Sequence, residues 1–218
     1  MAEVDPEALA DVAYGIFEHL LNRSFQAQGK YLYALVEGGI DFKPDLAAIF
    51  LKFSEEYPQL AEVMLSHFSS LDTIYQQLCD GEGVVPTKTT QMYWIVQDAP
   101  GSAPEAIEDE NAGKWLIFQE PDLVDAVWTK VRNATVALEL GISAKVSTAK
   151  PNPDSRDNRK VIYVYTKDWA DESDVLRVRE KLRELGFVDR IGYKRNIETF
   201  AGEYAKKGKR VTLSLIHI

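Results

Sequence analysis

The sequence predicts an α+β protein, an antiparallel sheet with helices on one face, preceded by an all-α segment. Three observations predict it. Apolar residues recur at helical spacing from Asp5 to about residue 80, and the period then changes to that of strands. Between the two regimes lies Gly81-Glu82-Gly83-Val84-Val85-Pro86, the clearest punctuation in the chain. After it the elements run β-β-α-β-β-α-β-β, the order expected of an antiparallel sheet with helices on one side. The boundary is placed there: residues 1–85 helical, residues 86–212 the α+β domain.

The helical segment opens at Asp5-Pro6, an N-cap acceptor followed by proline at the first helical position. Leu9, Val12, Ile16 and Leu20, with Phe17, Leu21 and Phe25, follow helical spacing, and Gly38-Gly39 breaks the pattern. Asp45 to Tyr57 carries Leu46, Ile49, Phe50 and Phe53 on one face. Pro58 opens a further helix through Leu60, Val63, Met64, Phe68, Leu71, Ile74 and Leu78. Three or four short helices would bury these stripes.

In the second segment Gln91–Gln97 and Lys114–Gln119 read as strands. Pro121 starts a helix through Leu123, Val127, Val131 and Val136 that stops at Gly141. Ile142–Thr148 and Lys160–Thr166 are strands rich in β-branched and aromatic residues, joined by a polar loop of Pro, Asn and Asp. Asp171 caps a helix burying Val175, Val178, Leu182 and Leu185, and Gly186 ends it. Arg190–Lys194 and Lys209–Leu213 complete the strands. The last residues, 213–218, read as translated sequencing-adapter sequence, with a short final strand as the alternative because Val211, Leu213 and Leu215 alternate; His217 is left out of any chemistry on either reading.

Composition excludes several function classes. The 218 residues are 45% apolar and 27% charged, ordinary for a globular protein. One cysteine, Cys79, excludes an intramolecular disulfide framework and a Cys-based zinc site, and three His make a His-rich metal site implausible. No apolar run reaches the roughly 18–20 residues of a membrane helix. The acidic N-terminus is no secretory signal, so the expected compartment is cytoplasmic or nuclear. No nucleotide-binding glycine loop, HExxH, CxxC or G-x-S-x-G occurs. No cofactor is implied.

Charge is unevenly placed. Residues 1–85 hold 14 acids and 4 bases, a net of −10, whereas residues 86–218 hold 20 acids and 21 bases. The overall −9 is therefore an acidic helical segment joined to a nearly neutral domain with basic strips. Arg190, Lys194, Arg195, Lys206, Lys207, Lys209 and Arg210 form one strip, and Lys145, Lys150, Arg156, Arg159 and Lys160 a second around the long loop. Basic groups beside aromatic rings suit a phosphate-bearing ligand, because charge offsets phosphates while rings stack on bases. Strand alternation adds detail. Ile142, Ala144 and Val146 point one way, and Ser143, Lys145 and Ser147 the other. A mid-strand lysine between serines predicts a polar sheet face, to which Tyr163, Tyr165, Tyr193 and Lys194 would contribute. The candidate ligand-binding set is Lys114, Lys145, Arg159, Lys160, Tyr193, Lys194 and Arg195; the solvated side of an antiparallel sheet accounts for the same pattern.

From Tyr93 to about Val211 the chain resembles the basophilic-leukaemia-expressed protein family of archaea and eukaryotes. The resemblance is carried by GKWLIF (113–118), DAVWTKV (125–131), LGISAKVST (140–148), VIYVYTKDW (161–169), DVLRVREKLRELG (174–186) and IGYKRNIETFAGEY (191–204). It implies a fold similar to that of the cap-binding translation initiation factor 4E, a curved antiparallel sheet backed by helices. The segment IEDENAGKW (107–115) is similar to that factor's Trp-Glu-Asp-Glu stretch, with Ile107 in the place of a cap-stacking tryptophan and Glu108 retained. The segment from Trp94 to Glu108 is too short for the loop carrying the other tryptophan, and Ser147 stands where an arginine is expected. Cap recognition by the factor's mechanism, a methylated guanine between two tryptophans, is therefore not expected.

The leading reading is a binding module for RNA, a nucleotide or another phosphorylated ligand, without cap recognition. A second, from a label used in the family, is a phosphothreonine-lyase-like enzyme, with Lys145 or Lys114 as base and Arg190 or Arg195 as phosphate clamp. No histidine lies between 86 and 212 to protonate the leaving group, which weighs against catalysis. A third is a protein-interaction adaptor, its acidic helical segment docking a basic partner. No membrane partner is expected.

Overall fold

A computed structural model describes residues 5–152 and 157–200. It divides into two compact units. The first extends past Pro86 to Tyr93 and includes Thr148–Asn152; the second holds Trp94–Ser147 and the described chain beyond residue 153. The helical unit runs beyond the punctuation at 81–86 because Val84 lies in its core and Met92 packs against that core. No helix of the described residues is long and apolar enough to cross a membrane.

The first unit is built of α1 (Pro6–Ala27), α2 (Leu32–Glu37), α3 (Lys43–Glu56), α4 (Pro58–Phe68) and α5 (Leu71–Asp80). Asp5 caps α1 as its sequence indicates, its carboxylate accepting from the Glu7 N–H at 3.1 Å. The buried stripe of α1 is Ala10, Ala13, Tyr14, Phe17, Leu21 and Phe25, and Val12 is exposed. The α-helical repeat of 3.6 residues rotates Val12 off the face that Phe17 and Leu21 define. The segment opened by Pro58 is two helices, not one. Ser69 takes a left-handed φ of 68°, and the Ser70 hydroxyl accepts from the Thr73 N–H at 3.1 Å to start α5. Phe17 sits 5.4 Å from Phe53 and 5.5 Å from Phe50, ring centre to ring centre, at the middle of this core.

A first expected result follows from the middle of α1. A Cβ added at Gly15 meets no atom within 4 Å. Gly15→Ala should therefore stabilise the helical unit by about 0.5–1 kcal/mol, through the lower entropy of the unfolded chain. Denaturant melts followed by circular dichroism would show it; a loss of stability would mean that α1 is not continuous there.

The second unit has the strands β1 (Trp94–Asp98), β2 (Gly113–Gln119), β3 (Ser143–Ser147), β4 (Lys160–Thr166) and β5 (Gly192–Arg195), with helices α6 (Val124–Val136), α7 (Glu172–Glu184) and α8 (Asn196–Phe200). The sheet order is β1-β3-β4-β2-β5, and every neighbouring pair is antiparallel. The α+β class predicted from the sequence is the class observed. The helix α8 follows β5 directly and has no counterpart in the predicted element order; the strand expected at 209–213 lies outside the described residues, as do 213–218.

Alternation along the strands divides the sheet into two faces. Ile95, Trp115, Ile117, Ala144, Val146, Ile162, Val164 and Tyr193 join Val124, Trp128 and Val131 of α6 and Val175, Val178 and Leu182 of α7 in one core. The Asp171 carboxylate accepts from the Asp174 N–H at 3.1 Å to start α7. Gly113 belongs to this face for a steric reason: a Cβ there would stand 2.0 Å from the Tyr193 hydroxyl. The Tyr193 ring takes that space, and its hydroxyl bonds Thr166 Oγ1 at 2.7 Å.

Candidate functional site: a lysine–aromatic cluster on the polar sheet face

On the other face the register sets polar and aromatic side chains side by side. Ser143 lies opposite Tyr165, Tyr165 opposite Lys114, and Lys114 opposite Lys194. In the next row Lys145 lies opposite Tyr163, and Tyr163 opposite Leu116. Trp94, from the edge strand β1, stacks on Tyr163 with ring centres 5.2 Å apart and planes 27° from parallel.

The two lysines converge on these rings. Lys145 Nζ stands 4.6 Å from the Trp94 ring centre, 5.6 Å from Tyr163 and 5.7 Å from Tyr165. Lys114 Nζ stands 5.4 Å from Tyr163 and 5.3 Å from Tyr165. These are cation–π distances, worth about 0.5–2 kcal/mol each as desolvation increases. Neither ammonium group forms an ion pair with a carboxylate among the described residues. Lys114, 8% exposed, donates instead to the Asn196 amide oxygen at 3.1 Å. That amide is held in turn, its Nδ2 donating to Ile107 O at 2.7 Å and to Asp109 O at 3.0 Å.

Electrostatics follow from this packing. Burial, reinforced by the charges of Lys145 and Lys194 and opposed by Glu108, pushes Lys114 down to about 8. Burial also lowers Lys145, again with Glu108 opposing. Burial raises the Tyr165 hydroxyl, so that ring stays neutral. The cluster is thus a cationic, partly desolvated face with one exposed carboxylate, Glu108, near enough to be felt. Among the described residues no group of three or more His, Cys, Asp or Glu could hold a metal ion.

Of the residues singled out by sequence, the structure brings together Lys114, Lys145 and Lys194. Tyr193 does not join them. It alternates with Lys194 and is fully buried on the helix-covered face, its ring 4.8 Å from that of Trp115. Arg159 pairs with Asp157 at 2.8 Å and lies over the Phe118 ring at 5.3 Å, at the far end of the strand. Lys160 shares the register of Ile162 and Val164 on the helix side. Arg195 is paired with Glu198 at 2.9 Å and lies over Trp169. The second basic strip is therefore dispersed: Lys150 belongs to the first unit, where it bonds Asp11 and the Gln91 carbonyl. Arg156 and Lys206 to Arg210 lie outside the described residues.

Sequence reasoning missed Trp94 and Asn196. Trp94 was inside a predicted strand but had no assigned face, because β1 is only five residues long and its partner, β3, is remote in sequence. Asn196 carried no signal, since its role depends on the carbonyls of Ile107 and Asp109.

Comparison with known proteins finds likenesses over part of the chain. Among solved structures the chain is similar to eIF4E-3 of Ascaris suum in complex with the m2,2,7G cap, at 21% identity over 47% of this chain and 61% of that one, with a TM-score of 0.37. It is also similar to C. elegans eIF4E-3 in complex with the 4E-binding protein Mextli and a cap analog, at 20% identity over 55% and 68%, with a TM-score of 0.40. The chain thus spans less than two thirds of the length of the Ascaris suum protein, and the likeness is one of fold. Residues 108–201 match the family model described as Basophilic leukemia-expressed protein Bles03. Over those residues, therefore, the chain is similar to the Bles03 family, the resemblance that its strand and helix motifs carry.

Proposed function

We propose that the protein is a binding module whose polar sheet face, the one that carries Lys114 and Lys145, takes a phosphate-bearing nucleotide, free or as part of an RNA. One observation carries this reading: Lys114 and Lys145 meet among Trp94, Tyr163 and Tyr165 without a carboxylate partner in the described residues. A desolvated ammonium group left unpaired costs several kcal/mol, and an anion supplied by a ligand offsets that cost. The Trp94–Tyr163 stack adds a flat aromatic surface on which a base can lie. Ile107, where the resemblance would require a tryptophan, supports a ligand other than the methylated cap.

The reading is tested by titrating guanosine monophosphate, its 7-methyl derivative and a short single-stranded RNA, following tryptophan fluorescence. Saturable quenching that weakens with salt, is lost in Trp94→Phe and is equal for the two guanosine nucleotides is the expected result. An unchanged spectrum at millimolar ligand rejects the nucleotide, and a strong preference for the methylated form rejects the exclusion of the cap.

A phosphothreonine-lyase-like activity is favoured by a separate observation, the lowered position of Lys114 near 8, which suits a general base. Mass spectrometry of a phosphothreonine peptide after prolonged incubation separates the two: loss of phosphoric acid supports the enzyme, and an intact peptide the binding module.

A further inference from the structure

The environment of the Lys114 amine goes beyond what a phosphate contact needs. A lysine that only supplies charge is served by a carboxylate neighbour or by solvent, both of which keep it protonated. Lys114 forms no ion pair with a carboxylate among the described residues, Glu108 being near enough only to oppose its lowering, and it is 8% exposed and held by an amide oxygen, Asn196 Oδ1, at 3.1 Å. An amide oxygen orients an amine without the full negative charge that fixes it as ammonium. The next side chain across the ladder is another lysine, Lys194, and Lys145 converges on the same Tyr163 and Tyr165 rings. A desolvated lysine beside a second cation is the arrangement that leaves an amine free to act as a nucleophile near neutral pH.

We propose that Lys114 is a nucleophilic amine whose Nζ condenses with the carbonyl carbon of a small anionic aldehyde or keto acid, the anion being held by Lys145 and Lys194. The proposal rests on the reading of this face as an anion site and adds small carbonyl-bearing anions to the ligands it takes. In the step, the neutral amine adds its lone pair to the carbonyl carbon and the carbonyl oxygen takes up the proton, giving a carbinolamine. That hydroxyl then leaves as water, with the second amine hydrogen, and a C=N bond remains. No electrons are exchanged with any other partner. The lowered position of Lys114, caused by burial and by the two neighbouring lysines, supplies the neutral amine that the step requires. Trp94, Tyr163 and Lys145 are each half-buried, so the cluster has a side open to solvent.

The test uses pyridoxal 5′-phosphate, an aldehyde carrying a phosphate, at a concentration below that of the intact protein. Borohydride reduction fixes any imine, and peptide mass spectrometry locates it. The expected result is an adduct on Lys114 in about tenfold excess over any exposed lysine, diminished by inorganic phosphate and by Lys145→Ala. Lys114→Arg, which keeps a cation but offers no nucleophilic amine, should lose the adduct. Adducts spread over exposed lysines, with nucleotide binding intact, overturn the amine chemistry and leave the anion site standing. Absence of both adduct and nucleotide binding overturns the site itself. Equal labelling of Lys114 in wild type and in Lys145→Ala removes the assigned role of the second lysine and overturns the proposal in this form.

Discussion

Gly141→Ala is expected to destabilise the sheet-bearing unit by about 3 kcal/mol or more, the largest stability effect of any single methyl group in the described chain. The cause is the approach of β4 to the entry of β3. The Tyr165 carbonyl accepts from the Ile142 N–H at 2.9 Å, a bond that extends the β3–β4 ladder one residue beyond the strand. A Cβ on Gly141 would stand 1.8 Å from that same oxygen and 2.8 Å from its carbon. Backbone atoms of a central strand cannot give way as a flexible side chain does. Relief therefore requires loss of the Ile142–Tyr165 bond and a shift at the edge of the cluster, where Tyr165 sits beside Lys114 and Ser143. A thermal melt displaced downward by on the order of 10 °C, with weakened nucleotide binding, is the expected readout. A melt equal to that of wild type would mean that Tyr165 does not approach Gly141 as described. Gly15→Ala, open on all sides, is the control that separates steric contact from backbone freedom.

Gly141 also shows where sequence reasoning ends. Its position predicts that the helix stops at it, but α6 ends earlier, at Val136, and the left-handed residue beyond that end is Leu138, with φ 62°. That the same glycine admits a carbonyl from residue 165 depends on strand pairing across some twenty residues, which local pattern does not specify. The local features were legible. The cap at Asp171, the alternation of Ile142 to Ser147 and the span of β4 all rest on neighbours a few residues apart, and all are observed. The break at Ser69 was not legible, because the apolar period continues through it from Phe68 to Leu71 while the backbone turns left-handed.

The site divides in the same way. Alternation within one strand suffices to place Lys145 on the polar face. Tyr193 lies on the opposite face from the one its sequence suggests, because Gly113 and Thr166, on two other strands, make room and a hydrogen bond for it on the helix side. Arg159 and Lys160, adjacent in sequence to the predicted face, separate because Asp157 claims the first and the pleat turns the second toward the helices. The count of basic residues in a stretch says how much charge is present; register decides which charges meet.

Affinity for a phosphate-bearing nucleotide should fall as pH rises through about 8, the position to which burial, Lys145 and Lys194 bring Lys114. The sign follows from linkage. The ligand favours the ammonium form, so binding is at full strength while Lys114 is protonated and weakens by up to about tenfold per pH unit once it is not. The phosphate monoester itself is already a dianion above about pH 7, so it contributes no change in this window. Without ligand the dependence is reversed. Lys114 is lowered in the folded protein relative to its ordinary 10.5, so between about 8 and 10.5 the unfolded chain holds more protons, and stability rises with pH. Lys145→Ala acts on both axes. It removes a cation from the anion site, which should cost about tenfold in affinity at pH 7. It also removes a charge that depresses Lys114, so the midpoint of the affinity profile should move upward. Lys114→Met should remove the midpoint near 8 and leave, in affinity and in stability, only the dependence that the lowered Lys145 contributes. Titrations with guanosine monophosphate at constant ionic strength from pH 6.5 to 10 measure all three. An affinity constant across that range in the wild-type protein would show that Lys114 does not face the phosphate, and the pairing of the two lysines would then be a property of the sheet rather than of a site.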